Sequence, residues 1–459
     1  MKTLLDSIGK LKKQGRMLRT INTVAVINLT LAIAAFVKDL LSAAYLGTST
    51  EADAFTLAYF LPDTLGNNLF ASALGVACVP MFAAWNAEKR HSRLLSGVGL
   101  LTRRVLMAGI VLCVIMLLFG RPMLRLIGSG LAPERLQASW DLYVLMTPIV
   151  ILLPLAFIAS AFLQVRGSFA PPAFAPLLYH IAGLLTLLFL LAAQVPKPSG
   201  VYGISGAILI GTAAQALFMG VLIRRIVKAY PVRQRNAIEQ AGLKEDMSSI
   251  ARTFWPYLLI LISTQLILAV ERGLASGLGT GTISGLNYAY RLSQFPNWVF
   301  VSAVTVVILP KMSQAWNVKD REQLSSTLRR AVQFTLLITV PAALILCMLR
   351  HPIITLLFVR GSFDFRSEEM TSTILAGYSL AMVGQAITLV YLRLFMTIGK
   401  MTVPLFGYFA AAAVNIGLDL CLIPVLGAAG LGYGALGGSL VGALVLAWSA
   451  QRFLHSRMS

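Results

Sequence analysis

Residues 172–194 read PAFAPLLYHIAGLLTLLFLLAAQ, and this stretch contains no Asp, Glu, Lys or Arg. An α-helix rises about 1.5 Å per residue, so roughly 20 apolar residues are enough to cross the hydrocarbon core of a bilayer, which is about 30 Å thick. The stretch is therefore expected to be a transmembrane helix. Similar stretches recur along the whole chain, and their number and order decide the fold.

Apolar stretches of spanning length make up most of the sequence. They lie at approximately 20–46, 52–82, 100–120, 139–164, 172–194, 201–223, 253–275, 283–310, 328–349, 371–398, 402–425 and 430–451. The chain of 459 residues is 57% hydrophobic and only 12% charged, whereas a soluble domain averages roughly 25% charged residues. We therefore expect an all-α polytopic membrane protein with about twelve transmembrane helices.

The basic residues indicate how these helices are oriented. The chain has 38 Lys and Arg against 18 Asp and Glu, a net charge of +20. Most of the basic residues cluster in alternate gaps between the apolar stretches, on the side that also carries the N-terminus. Cytoplasmic loops are enriched in Lys and Arg, so both termini are expected in the cytoplasm. This placement between spans argues against nucleic acid as the partner.

Two related halves can be recognised in the sequence. A long basic gap separates six spans from six, which predicts an N-terminal six-helix lobe at 1–228, a cytoplasmic linker at 229–250 and a C-terminal six-helix lobe at 251–459. Matching motifs occur at equal spacing in equivalent spans: Ser72-Ala73, Val76 and Pro80 match Ser302-Ala303, Val306 and Pro310, and Gly167 with Pro172 matches Gly399 with Pro404. This pattern predicts two pseudo-symmetric lobes in parallel repeat, with the substrate path between them.

The sequence contains no motif that indicates an enzyme. The phosphate-binding pattern G-x-x-x-x-G-K-[ST] is absent, and the glycines at Gly277, Gly279 and Gly281 are not followed by the required lysine. The four cysteines are scattered through apolar stretches without the spacing of a metal site or a disulfide framework. We expect a transport protein without catalytic residues.

Ionisable residues inside the apolar stretches are the candidate functional residues. Each costs a few kcal/mol at the bilayer centre unless it faces protein or water. They include Lys38-Asp39 in span 1, Asp63 with Asn67 and Asn68 in span 2, Glu271-Arg272 in span 7 and Arg291 in span 8. These spans are the first two of each lobe, so one interpretation places the charges in a common cavity. In the other interpretation, sequence neighbours such as Lys38 and Asp39 neutralise each other.

Span 11 contains a second candidate site. Asn415 and Asp419 are four residues apart and therefore share one helix face. With Glu271 from span 7, their oxygen atoms would suit a sodium ion or a proton. An interhelical hydrogen bond, worth about 1 kcal/mol, explains the same spacing.

Several short motifs resemble the MurJ (MviN) family of lipid II flippases. They are Phe36-Val-Lys-Asp39, Ala52-Asp-Ala-Phe55, Leu61-Pro62 and Val79-Pro80 in the first half, and Tyr288-Ala-Tyr-Arg291-Leu, Phe295-Pro296, Leu309-Pro310 and Leu357-Phe-Val-Arg360-Gly361 with Phe363 in the second. They occur in family order over nearly the whole chain. The resemblance implies the fold of the MOP exporter superfamily, which also contains the MATE transporters. It also implies outward translocation of an undecaprenyl-pyrophosphate-linked peptidoglycan precursor across the bacterial plasma membrane.

The sequence departs from the family pattern at the cavity arginines. Ala32 and Lys38 stand where span 1 of the family carries two arginines, while Asp39 is retained. Asn67 and Asn68 lie in the region where span 2 of the family has an arginine pair, and Arg291 of span 8 is retained. The sequence also ends after span 12, where the family has two further helices.

The resemblance implies roles for the candidate residues. Lys38, Arg272 and Arg291 would neutralise the pyrophosphate, with Asp39, Asn67 and Asn68 completing the substrate site. Glu271, Asn415 and Asp419 match the sodium site of some family members, so sodium is the one cofactor considered. The expected partner is a lipid-linked glycan precursor, and the protein is expected to be a monomer. Three alternatives remain: export of another polyprenyl-linked oligosaccharide, cation-coupled drug antiport, and a scaffold without transport.

Overall fold

The computed structural model describes residues 2–88, 91–228 and 237–456. Its helices are α1 (Lys2–Leu46), α2 (Thr50–Asp63), α3 (Ser72–Ala87), α4 (His91–Ile127), α5 (Pro133–Met146), α6 (Ile149–Val165), α7 (Ala170–Ala192), α8 (Lys197–Lys228), α9 (Ala237–Ser276), α10 (Thr282–Pro296), α11 (Ser302–Asn317), α12 (Arg321–Met348), α13 (Arg350–Phe358), α14 (Phe365–Thr397), α15 (Thr402–Leu426) and α16 (Ala429–Ser456). Two π-helical segments, Thr64–Ala71 and Asn297–Val301, connect α2 to α3 and α10 to α11. Among the described residues, the backbone also forms one isolated antiparallel β-bridge, between Arg360 and Phe363.

Eleven helical stretches among the described residues are long and apolar enough to cross a membrane. They are Asn22–Leu46, Thr50–Ala87, Arg93–Ile127, Pro133–Val165, Ala170–Ala192, Lys197–Ile226, Trp255–Ser276, Arg321–Met348, Phe365–Thr397, Thr402–Leu426 and Ala429–Leu454. Each corresponds to one predicted span. The remaining predicted span, 283–310, is helical throughout but is not among the eleven, and it carries polar Arg291, Gln294 and Asn297. The all-α, multi-span fold class is confirmed.

The two π-helical segments occupy equivalent places in the two halves of the sequence. Each follows shortly after a proline that ends an α-helical stretch, Pro62 in α2 and Pro296 in α10. Each ends immediately before one of the matching Ser-Ala pairs, at Ser72 and at Ser302. Proline has no backbone N–H and disrupts the α-helical ladder, and π-helical turns are a common local response inside a helix. The structure therefore repeats the same helix irregularity in both halves.

The first compact unit comprises Met1–Ser42, Tyr59–Gly120 and Asp141–Phe254. Its core contains Phe82, Trp85 and Phe162, which are almost fully buried. On α7, by contrast, Leu185, Leu188 and Phe189 are more than half exposed. Large apolar side chains on a helix surface are expected where that surface meets lipid.

The second compact unit comprises Ala43–Ala58, Arg121–Trp140 and Trp255–Ser459. Its core joins α11, α12, α14 and α16 through side chains such as Met312, Leu394, Phe395 and Leu446. Two short segments of the predicted N-terminal lobe thus group with this unit. Of the predicted linker, residues 229–236 lie outside the described residues and the rest belongs to α9. The lobe boundaries themselves stay a prediction.

Candidate functional site

A polar cluster in the first unit is built around Asp63 at the end of α2. We call Tyr59, Asp63, Asn67, Asn68 and Tyr179 the Asp63 cluster. One carboxylate oxygen of Asp63 accepts hydrogen bonds from the Tyr59 hydroxyl at 3.1 Å and from the Asn67 amide at 3.3 Å. The other accepts from the Asn68 amide at 3.1 Å. The Tyr59 hydroxyl also lies 3.3 Å from that of Tyr179 on α7.

The π-helical segment explains why both asparagines reach the same carboxylate. In a regular α-helix a residue shares its face with the residue four positions later, and the fifth is rotated away. In a π-helix the hydrogen bond runs to the fifth residue, so Asn68 also comes onto the face of Asp63. The Ser72 hydroxyl donates to the Asn67 carbonyl at 3.0 Å, which satisfies one backbone group of this irregular turn.

Lys38 and Asp39 form an ion pair next to this cluster. The Lys38 Nζ atom lies 3.0 Å from the Asp39 carboxylate, and the side chains are 12% and 20% exposed. The same ammonium group lies 5.7 Å from the ring centroid of Tyr179. Gly183 on α7 leaves space for the aliphatic part of the Lys38 side chain, since a Cβ atom at Gly183 would lie 3.0 Å from Lys38 Cδ. The two neighbours therefore form an ion pair with each other, and their place in a substrate cavity stays a prediction.

In the second unit, the structure brings Glu271, Asn415 and Asp419 together. The Glu271 carboxylate accepts a hydrogen bond from the Tyr378 hydroxyl at 2.5 Å and one from the Asn415 amide at 3.4 Å. Glu271 is 1% exposed and Asp419 is fully buried. Gly434 and Gly438 of α16 pack against Asp419 and Asn415, where any Cβ atom would collide with these side chains.

The oxygen atoms of this group fit a cation. Both carboxylate oxygens of Asp419 and the side-chain oxygen of Asn415 are buried without a hydrogen-bond partner. A buried carboxylate without partners is costly, and a bound cation removes that cost. The donor set is two carboxylates and one amide oxygen. A set of oxygen donors alone suits a hard cation such as sodium better than zinc, which is bound mainly by Cys and His.

Two arginines of the second unit, Arg272 and Arg291, are also candidate residues. Arg272 is 7% exposed and donates from Nη1 to the Leu268 carbonyl at 2.9 Å. The charges of Glu271 and Arg291 both act on its guanidinium group. Arg291 is half-buried on α10. That the charged residues of spans 1, 2, 7 and 8 share one cavity stays a prediction.

Sequence reasoning missed the aromatic and amide residues around both groups. Tyr59 and Tyr179 contact Asp63 and Lys38, and Tyr378 contacts Glu271. A cavity of about 300 Å³ in the second unit is lined by Glu271, Tyr378 and Asn415 and also by Gln294, the latter bonded to Gln385 at 2.5 Å. Tyr59, one helical turn before Asp63, was the one signal available in the spacing, but tyrosine is common in apolar helices and carries little weight alone. Tyr179 and Tyr378 come from other helices, so no spacing indicates them.

Comparison with known proteins settles the family. The sequence profile described as "Lipid II flippase MurJ" matches residues 42–457.

The chain belongs to the MurJ family.

Relatives and solved structures agree with this assignment. The MurJ protein of Burkholderia cenocepacia is 27% identical over 374 residues, covering 80% of this chain and 71% of the relative. A probable MurJ protein of Rhizobium meliloti is 26% identical over 421 residues, covering 90% and 76%. A MurJ structure in an inward closed conformation superposes with a TM-score of 0.74 at 23% identity, over 93% of this chain and 87% of that one.

A transporter of another family has the same fold. The inward-facing structure of a multidrug resistance MATE transporter of the MOP superfamily superposes with a TM-score of 0.77 at 16% identity, over 95% of this chain and 100% of that one. At such identities, structural likeness shows the fold alone. The MOP fold predicted from the MurJ resemblance is therefore confirmed.

Proposed function

We propose that this protein is a flippase that translocates lipid II, an undecaprenyl-pyrophosphate-linked peptidoglycan precursor, across the bacterial inner membrane. The observation that carries this proposal is the MurJ family match over residues 42–457. The multi-span helical fold supports it, because transporters of this type move a hydrophilic group by alternating access of two halves. The protein is a transporter and not an enzyme.

Arg291 and Arg272 are the groups best suited to the pyrophosphate. The arginine guanidinium presents a planar fork of donors that matches phosphate oxygens, and it stays charged in any environment. Arg291 is half-buried, so part of its side chain is accessible to solvent. In the first unit, Lys38, Asp39, Asn67 and Asn68 provide the remaining substrate contacts, with the charge of Lys38 balanced by Asp39.

The test of this function is transport of lipid II by purified protein in vesicles, with wild type compared to Arg291→Ala. We expect the variant to lose roughly tenfold or more in transport rate, because a charge-assisted hydrogen bond contributes about 1.5–3 kcal/mol and 1.4 kcal/mol is a factor of ten. Arg393→Ala on α14 is the matched control, since the Arg393 guanidinium contacts Met396 of its own helix. Normal transport by Arg291→Ala would contradict the assigned role, and no transport by wild type would contradict the function.

We also propose that Glu271, Asn415 and Asp419 bind a sodium ion that is coupled to transport. The support is the set of buried oxygen atoms without hydrogen-bond partners, together with the close packing of Gly434 against Asp419. In this proposal the ion compensates the buried carboxylates and orders α9, α15 and α16 around itself.

The sodium proposal is tested by melting the protein in detergent at increasing sodium chloride, with potassium chloride at equal ionic strength as the reference. A ligand that binds only the folded state raises stability with its concentration. We expect a sodium-specific rise in wild type that disappears in Asp419→Asn. Glu368→Gln is the matched control, because Glu368 is also buried in this unit but already bonds Ser372 and His351. No sodium-specific rise in wild type would leave interhelical hydrogen bonding as the role of these residues.

The orientation and assembly of the chain are part of the same proposal. We propose that both termini lie in the cytoplasm, because Lys and Arg cluster in alternate gaps between the spans, on the side that carries the N-terminus, and cytoplasmic loops are enriched in these residues. We also propose that the protein acts as a monomer, which its mass in detergent solution tests directly.

A further inference from the structure

The Asp63 cluster has the composition of a site for neutral polar groups. Its five side chains provide one carboxylate, two amides and two phenols, with one formal negative charge in total. The adjacent Lys38 is paired with Asp39. A pyrophosphate brought to this cluster would meet the charge of Asp63, and like charges at close range in a medium of low dielectric constant repel strongly.

The cluster is also accessible. All five side chains are partly exposed, although they lie within apolar helices. Polar groups at membrane depth are costly unless they face water or a polar solute, so partial exposure at this place indicates contact with one of these. The hydrogen bonds to Asp63 use amide hydrogens of Asn67 and Asn68, and each amide also has an oxygen atom that can accept.

We propose that the Asp63 cluster is a carbohydrate subsite, which binds the hydroxyl and acetamido groups of the sugars in the lipid-linked head group. Sugar hydroxyls donate to carboxylate and amide oxygens and accept from amide and phenol hydrogens, and this cluster presents both kinds of group within a few ångströms. In this proposal the cluster determines which sugar is accepted, and the charge of Asp63 keeps the pyrophosphate away from it. This inference rests on the proposed function and deepens it.

The test compares the affinity of purified full-length protein for three lipids: undecaprenyl pyrophosphate, the same lipid carrying a disaccharide, and lipid II with its peptide. We expect Asn67→Ala and Asn68→Ala to weaken binding of both sugar-bearing lipids about fivefold to tenfold, the effect of one lost hydrogen bond, with undecaprenyl pyrophosphate unchanged. Asn86→Ala is the control, because the Asn86 amide on α3 donates to the Val165 carbonyl at 3.1 Å and not to a member of the Asp63 cluster. Melting temperatures show which variants remain folded.

Asp63→Asn provides a signature that a purely structural role does not produce. The substitution keeps the shape of the side chain and removes its charge, so we expect weaker binding of the disaccharide lipid and tighter binding of undecaprenyl pyrophosphate. Equal changes for all three lipids, or a change only when the peptide is present, would overturn the carbohydrate assignment. If wild type binds none of the three lipids, the proposed function itself fails, which distinguishes the two failures.

Discussion

Asp53 shows how a single side chain can hold distant segments together. It is fully buried, and its carboxylate accepts hydrogen bonds from the backbone N–H groups of Gly281 at 2.6 Å and Ser284 at 2.8 Å, and from the Ser284 hydroxyl at 2.8 Å. These donors form the first turn of α10, whose unpaired N–H groups and dipole favour a negative charge. The residue is therefore a helix cap supplied from more than two hundred positions away in the sequence.

We expect Asp53→Ala to lower the free energy of unfolding by about 2–3 kcal/mol, since hydrogen bonds to a charged group are strong and their loss leaves buried donors unpaired. The measurement is the melting temperature in detergent. Asp364→Ala is a matched control, because Asp364 caps α14 through the N–H and hydroxyl groups of Ser367, both at 2.8 Å, from an exposed position. A loss at Asp53 no larger than that at Asp364 would show that burial adds nothing to the cap.

The exposed cap also has a defined pH dependence. The hydrogen bonds from the Ser367 N–H and hydroxyl groups hold the pKa of Asp364 below its usual value. A carboxyl group with a depressed pKa stabilises the folded state above its unfolded pKa, and this contribution disappears as pH falls through the folded value. Asp364→Ala is therefore expected to cost stability at neutral pH and little in strong acid.

At the scale of the element, α16 is defined by a stripe of glycines. Gly430, Gly434, Gly438 and Gly442 are each four residues apart, and each would bring a Cβ atom against another helix. The backbone of α16 can therefore approach α15 closely, as small residues allow in membrane helices. Glycines spaced four residues apart predict close helix packing, and the structure shows this packing for α16.

Gly434→Ala is expected to destabilise the protein and to remove the sodium-dependent rise in melting temperature, because the new Cβ atom would occupy the position of an Asp419 oxygen. Gly417→Ala on α15 has open space around it and should be neutral or stabilising by up to about 1 kcal/mol, through better helix propensity. A sodium response in Gly434→Ala equal to that of wild type would contradict the position assigned to the ion.

At the scale of the whole molecule, the order of the spans predicts on which side of the membrane each loop lies. The positive-inside rule places the basic gap after span 6 in the cytoplasm and the loop that follows span 7 outside. Single cysteines at Glu239 and at Thr280, in a variant without the native cysteines, should react with a membrane-impermeant reagent from opposite sides of the membrane. Labelling of both from one side would falsify the twelve-span arrangement.

Local composition already determined much about this protein. The apolar stretches predicted the helical multi-span class, because the length of a spanning helix follows from bilayer thickness and requires no knowledge of packing. Motif order indicated the MurJ family, and costly charges at membrane depth pointed to Lys38, Glu271, Arg291 and Asp419. The fold class and the family are confirmed, because each follows from short stretches of neighbouring residues, whereas the roles of these charged residues stay a prediction.

The tertiary structure alone decided which groups satisfy one another. The ion pair of Lys38 with Asp39 was open in the sequence, and the hydrogen bond from Tyr378 to Glu271 was not foreseen. The π-helical turn after Pro62 was also unforeseen, and it carries Asn68 onto the face of Asp63. Pairing energies depend on distances between side chains from separate helices and on local departures from regular helix geometry, and the spacing of residues along a sequence specifies neither.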